Sequence, residues 1–205
     1  MLTVGELYYL NKALDGKEIY GINPASELLA KKSINEIESL YEKDILKEDG
    51  SLNELSYLII RNLEQYKKAS SYLWLNDIVC SMDDTDFLIF FRKEESGELE
   101  FKKTAKELML LSIVKEYEFL WNYKEVNGKK KMPLDIFLNK TIQDKEEKEV
   151  LYIKKEKDSD VVLYNIYYLE DGSVYKYDAL NEEVCEINPK EIRIELAKIL
   201  GVKGE

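Results

Sequence analysis

Along the first 69 residues the apolar positions recur every three or four residues, the spacing of one helix face. Leu7, Leu10 and Leu14 form the first such stripe, with Tyr8 on its shoulder. Thr3 stands where it would cap the opening turn, and Glu6, three residues on, is its reciprocal partner in a capping box. Asp15-Gly16 closes the helix, because glycine enters the left-handed conformation that other residues resist. A second helix is predicted to open at Asn23-Pro24 and to run through Leu28, Leu29, Ile34, Ile37 and Leu40 to Tyr41. The chain then turns at Asp49-Gly50, and a third helix follows with Leu55, Leu58, Ile59 and Leu63 as its buried face.

The period changes at Ser70. SYLWLNDIVCSM has β-favouring residues in partial alternation, DFLIFFRK is a near-continuous apolar run, and ELEFKK is short and alternating. Glu94, Glu95, Ser96, Gly97 and Glu98 lie where a hairpin turn belongs. From Thr104, Leu108, Leu111 and Val114 restore a helical period. After a lysine-rich connector the order recurs: a helix from Pro133, strands in EVLYIKKEKD, DVVLYNIYYLED, SVYKYDAL and VCEI, and a helix from Asn188-Pro189 to Gly201. Asp84-Thr85-Asp86 before Phe87 is echoed by Asp158-Ser159-Asp160 before Val161. The predicted fold is α+β and forms one domain over 1–205. Two β-β-β-α halves, about 1–123 and 132–205, are joined by a connector at 124–131. They are arranged with pseudo-two-fold symmetry in a mostly antiparallel sheet flanked by helices, with extra helices at the N-terminus.

Composition narrows the function. A net charge of −11 repels phosphate backbones and excludes a nucleic-acid partner, and Lys129-Lys130-Lys131 reads as a solvated loop in the connector. The chain has no histidine, which removes Ser-His-Asp and Cys-His nucleophiles, His-ligated metals and the usual neutral-pH proton shuttle. Cys80 and Cys185 are far apart, outside any CxxC, and read as buried thiols of a cytoplasmic protein. No signal peptide or membrane-spanning run is visible, so no membrane insertion is expected.

Most candidate chemistry fails on spacing. Placing Gly50 at the sixth position of a calcium loop puts Ile45 and Ser56 where carboxylates are needed. Asp77, Asp83, Asp84 and Asp86 cluster on one connection. With 41 acidic residues in the chain such clusters are expected, and a solvated turn is favoured over a cation site. No phosphate loop, nucleophile elbow or zinc spacing occurs, and neither a cofactor nor enzymatic activity is expected. The 15 tyrosines and 2 tryptophans are more suggestive. Tyr72, Trp74, Tyr164, Tyr167 and Tyr168 fall in predicted strands, where they either fill the sheet's core or form a partner-binding face.

The opening LTVGELYYLNKALDGKEIYGI and the following INEIESLYEKDILKEDGSLNELSYLIIRNLEQYKKASSYLWL resemble the first segments of the EspG-like chaperones of type VII (ESX) secretion. There a helix runs into a glycine-containing connector, here Asp44-Ile45-Leu46 through Asp49-Gly50-Ser51-Leu52, then a helix and the first strand. The lysine-rich, histidine-free composition resembles that of a low-GC Gram-positive protein rather than a mycobacterial one. The resemblance implies a cytoplasmic binding protein that holds a small helical secretion substrate in an export-competent state without ATP. It places the partner surface on the central sheet, the hairpin loop at Glu94-Glu95-Ser96-Gly97 and the C-terminal helical region. On the residues alone, an immunity protein that neutralises a secreted toxin stands as the alternative, since an anionic surface suits a cationic partner. A small hydrolase using Asp84 or Asp86 is a third class.

Overall fold

The capping box at Thr3 forms. Glu6 N donates to Thr3 Oγ1 at 3.1 Å, and Thr3 N donates to the Glu6 carboxylate at 2.7 Å. They open α1 (Val4–Asn11). This computed structural model describes residues 1–23, 36–121, 129–143 and 145–202. The helix ends one turn earlier than the Leu14 stripe suggests, and Gly16 sits beyond it at φ 63°, closing the turn with its N–H on Asn11 O. Asn23 ends the first described stretch, Pro24 and most of the second predicted helix lie outside the described residues, and α2 (Glu36–Glu42) is the part described.

The fold is α+β: an antiparallel sheet flanked by helices. Nine strands are found among the described residues, in the order β4-β3-β2-β1-β6-β7-β8-β9-β5. They are β1 (Ser71–Leu75), β2 (Ile78–Met82), β3 (Phe87–Lys93), β4 (Leu99–Ala105), β5 (Lys129–Lys131), β6 (Val150–Lys157), β7 (Asp160–Glu170), β8 (Ser173–Asp178) and β9 (Glu183–Glu186). The remaining helices are α3 (Glu54–Lys67), α4 (Lys106–Glu116), α5 (Leu134–Phe137) and α6 (Pro189–Leu200).

Three expectations change here. SYLWLNDIVCSM is two strands, because Asn76 takes φ 49° and turns the chain between β1 and β2. The first half therefore has four strands ahead of α4, as the second has four from β6 ahead of α6. The aspartate echo does not mark equivalent places. Its first copy joins the second and third strands of one half, and its second copy joins the first and second of the other. Lys129-Lys130-Lys131 is not a solvated loop but strand β5, paired antiparallel with β9. Backbone pairing outweighs the charge there because lysine tolerates a sheet edge.

The chain groups into two compact units. The first holds Met1–Ala69, Ile78–Ser81 and Ile89–Lys103. Its core gathers Leu7, Leu10, Leu40, Leu63 and Tyr66 with Phe91, whose ring meets Tyr66 edge-on at 4.8 Å and stacks on Phe101 at 4.4 Å. The buried face of α3 is Ser56, Leu63 and Tyr66, whereas Leu55 and Leu58 are 49% and 57% exposed. The predicted stripe was rotated by one residue at its start, since apolar residues at 55, 58, 59 and 63 and at 59, 63 and 66 fit the same period. The hairpin between β3 and β4 closes as expected, with Gly97 at φ 86° donating to Glu94 O at 2.9 Å.

The second unit holds Ser70–Asp77, Met82–Leu88 and Thr104–Glu205. Asn76 is its joint: the side chain donates to Tyr117 Oη at 2.6 Å and to Val150 O at 3.1 Å, and accepts from Tyr152 N at 2.7 Å. Helix α4 forms, but it buries Met109, Ile113 and Val114 and leaves Leu108 and Leu111 exposed. The helix expected from Pro133 is short, four α residues continued by a π turn over Leu138–Ile142. Asn188 caps α6 by accepting from Lys190 N at 2.8 Å, with Pro189 in the first turn, and Gly201 ends it at φ 73°.

Candidate protein-binding face

Strand geometry sorts the candidate aromatics. Successive side chains alternate between faces, and residues directly opposite across a ladder share a face. In β1 this buries Leu73 and Leu75 on one side and leaves Tyr72 and Trp74 half-buried on the other. Tyr72 lies opposite Glu156 and Trp74 opposite Lys154 in β6, and Lys154 in turn lies opposite Tyr164 in β7. Tyr72, Trp74, Lys154, Glu156 and Tyr164 thus form one half-buried patch over three adjacent strands. Tyr152, two residues before Lys154, extends it.

The patch is electrically quiet. Lys154 and Glu156 form an ion pair with each other. Burial pushes the hydroxyls of Tyr72 and Tyr164 above the ordinary tyrosine range, and burial with the neighbouring Tyr164 does the same to Tyr152. All three are neutral at physiological pH. The patch offers flat aromatic area with hydrogen-bonding tips and little net charge.

Tyr167 does not belong to it. Three residues along the strand from Tyr164 puts it on the opposite face, where it is fully buried, donates to Glu195 of α6 at 2.6 Å and accepts from Asn165 at 3.3 Å. Lys176 joins the same carboxylate at 2.9 Å, so Tyr167 is part of the seat of α6 and not of a partner surface. Burial first, and then the Glu195 contact, raise its hydroxyl pKa. Tyr168 falls back on the first face but is 2% exposed, stacked on Tyr175 at 5.4 Å. The hairpin Glu94-Glu95-Ser96-Gly97 belongs to the first unit; Glu95, Ser96 and Gly97 are exposed and Glu94 half-buried.

The aspartate connection is stitched by local bonds. Thr85 donates to Asp83 Oδ1 from N at 3.0 Å and from Oγ1 at 2.5 Å, and buried Lys106 donates to Asp83 O at 2.8 Å. Among the described residues, no group of three or more His, Cys, Asp or Glu is placed to hold a metal ion. Cys80 is buried, its thiol pKa raised by that burial, while Cys185 is only half-buried. Sequence reasoning passed over Tyr152, Lys154 and Glu156, because VLYI is wholly apolar and KKEK wholly charged, so that only their spacing of two along a strand puts them on one face.

What these features define is an α+β protein whose antiparallel sheet carries a half-buried, charge-neutral aromatic patch. No helix among the described residues is long and apolar enough to cross a membrane. The chain belongs to the family described as "Domain of unknown function (DUF5081)", which matches residues 1–190. Comparison with curated proteins gives no match.

Proposed function

We propose that the protein is a cytoplasmic, non-enzymatic chaperone that holds a small helical substrate of type VII secretion on this sheet face. The observation that supports the reading is the patch of Tyr72, Trp74 and Tyr164 around the internally paired Lys154 and Glu156. Tyr and Trp supply contact area with a polar tip at low entropic cost and dominate binding energetics where they cluster. A neutral aromatic face suits the apolar side of an amphipathic helix, which would aggregate if left exposed. Equilibrium binding is enough to protect such a helix, with no ATP required. The resemblance of the N-terminal segments to the EspG-like chaperones points the same way.

The test is recovery of the tagged protein from its host, wild type beside a Trp74→Ala/Tyr164→Ala double variant whose circular dichroism is unchanged. The wild type is expected to retain a small, predominantly helical secreted protein in near-stoichiometric amount, and the variant to lose it by about tenfold or more. A basic toxin domain in its place would make the protein an immunity factor. Recovery of the protein alone, or equal retention by the variant, would overturn the assignment.

A further inference from the structure

Beside the half-buried patch, the same sheet face is already occupied by a helix, and that helix comes from the chain itself. Leu134, Phe137, Leu138 and Ile142 of α5 and its π turn pack against a cluster made by Val150, Ile166, Tyr168, Tyr177 and Val184. Their spacing of i, i+3, i+4 and i+8 is that of an amphipathic helix laid in an apolar groove. Phe137 is the anchor. It is fully buried, stacks on Tyr177 at 4.0 Å with the rings 6° apart, and tilts against Tyr168 at 5.3 Å. Tyr152 and Tyr164 border this groove and belong also to the half-buried patch, so the two are one continuous surface.

The occupant is weakly built as a helix. Its nine residues are below the ~12–15 needed for marginal stability in isolation. Pro133 at its start supplies no side-chain cap, and a π turn replaces regular α bonding after Phe137. Of Met132–Gln143, Phe137 alone is fully buried among the residues whose burial is described. Three further bonds pin the ends: Tyr177 Oη donates to Met132 O at 2.9 Å, Met132 N donates to Glu182 O at 3.0 Å, and Lys145 Nζ donates to Leu169 O at 2.7 Å.

We propose that residues 132–143 are a displaceable intramolecular occupant of the aromatic face, and that the external partner is an amphipathic helix with the same apolar spacing that takes their place. The segment keeps the groove covered until a partner arrives and sets a threshold on which helices enter. The inference rests on the reading of this face as a binding surface, but its test uses only this chain's own segment and no secretion substrate.

The probe is a labelled peptide of residues 131–143, added to the full-length chain and followed by fluorescence anisotropy. A tethered segment acts at an effective concentration on the order of millimolar, so it excludes micromolar peptide from the wild-type groove. Phe137→Ala in the full chain removes the tethered anchor, and that variant is expected to bind the peptide at least about tenfold more tightly than wild type does. The same peptide with Phe137→Ala is expected to bind neither. Equal or undetectable binding by two folded chains would overturn the proposal. If the variant does not fold, amide hydrogen exchange of the wild type decides. Exchange of 134–142 through an opening at least ~100-fold more populated than that of β7 and β8 supports displacement. Exchange together with those strands makes the segment a fixed part of the core and rejects it. Failure of substrate capture would leave this result standing, whereas failure of the peptide test would still leave the half-buried patch as a docking surface.

Discussion

Glu6 shows how one residue is legible in part. Its place in a capping box follows from Thr3 three positions earlier. Its other partner does not: Lys43 Nζ reaches the buried Glu6 carboxylate at 2.9 Å across a sequence separation of 37, and also reaches Glu98 at 3.2 Å across 55. Burial acts to raise the Glu6 pKa, but hydrogen bonds from Ser39, Lys43 and the Thr3 backbone outweigh it and hold the group below the ordinary carboxylate value. For Lys43 burial acts downward, and its bonds to Glu6 and Glu98 outweigh that and raise it. A depressed carboxyl stabilises the fold above its unfolded pKa, about 4.3, and loses that contribution as pH falls through the folded value. A raised lysine contributes fully below about 10.4 and loses that contribution as pH rises beyond it. Urea unfolding of the wild type and Glu6→Gln from pH 3 to 7 should give a gap between the two that is full above pH ~5 and closes towards pH 3. A gap independent of pH would assign the effect to packing rather than to charge.

Among the elements, existence was easier to read than orientation. Helix α3 forms where its period says, yet only packing decides that Leu63 and Tyr66 are buried while Leu55 and Leu58 are exposed. Leu63→Ala should therefore cost about 2–5 kcal/mol, and Leu55→Ala no more than about 0.5 kcal/mol, by urea denaturation. Comparable losses at the two positions would mean that Leu55 is covered in solution. Strand β5 was missed because a run of three lysines carries no apolar alternation, and its partner β9 is more than 50 residues away in sequence. The split at Asn76 was missed because the turn uses Asn-Asp with a left-handed Asn and no glycine.

At the level of the whole molecule, composition makes its own forecast. The chain has no histidine, the side chain that ordinarily titrates between pH 5 and 8. The buried groups that are shifted move away from that window: Cys80, Tyr167 and Tyr168 are pushed up by burial, and Glu6 is held down by its hydrogen bonds despite burial. The urea midpoint should be flat between about pH 6 and 8 at constant ionic strength. A slope there would reveal a carboxylate shifted into the neutral range.

The sequence by itself determined the α+β class, the first helix and its capping box, the turns at Asp49-Gly50 and Glu94–Glu98, and the capped start and glycine stop of the last helix. All of these depend on residues within a few positions of one another. It also set the aromatic content from which the sheet face is made. Tertiary structure decided the rest. Tyr72 and Trp74 join Lys154, Glu156 and Tyr164 only because β1 is laid in register beside β6, whose paired residues lie some 80 positions away in sequence, while Tyr164 meets Lys154 across the short β6–β7 hairpin. Phe137 closes part of that face because two tyrosines from β7 and β8 form a slot its ring fills. A local pattern states which residues repeat; which side of the sheet they serve is fixed only when the distant strand is laid beside them.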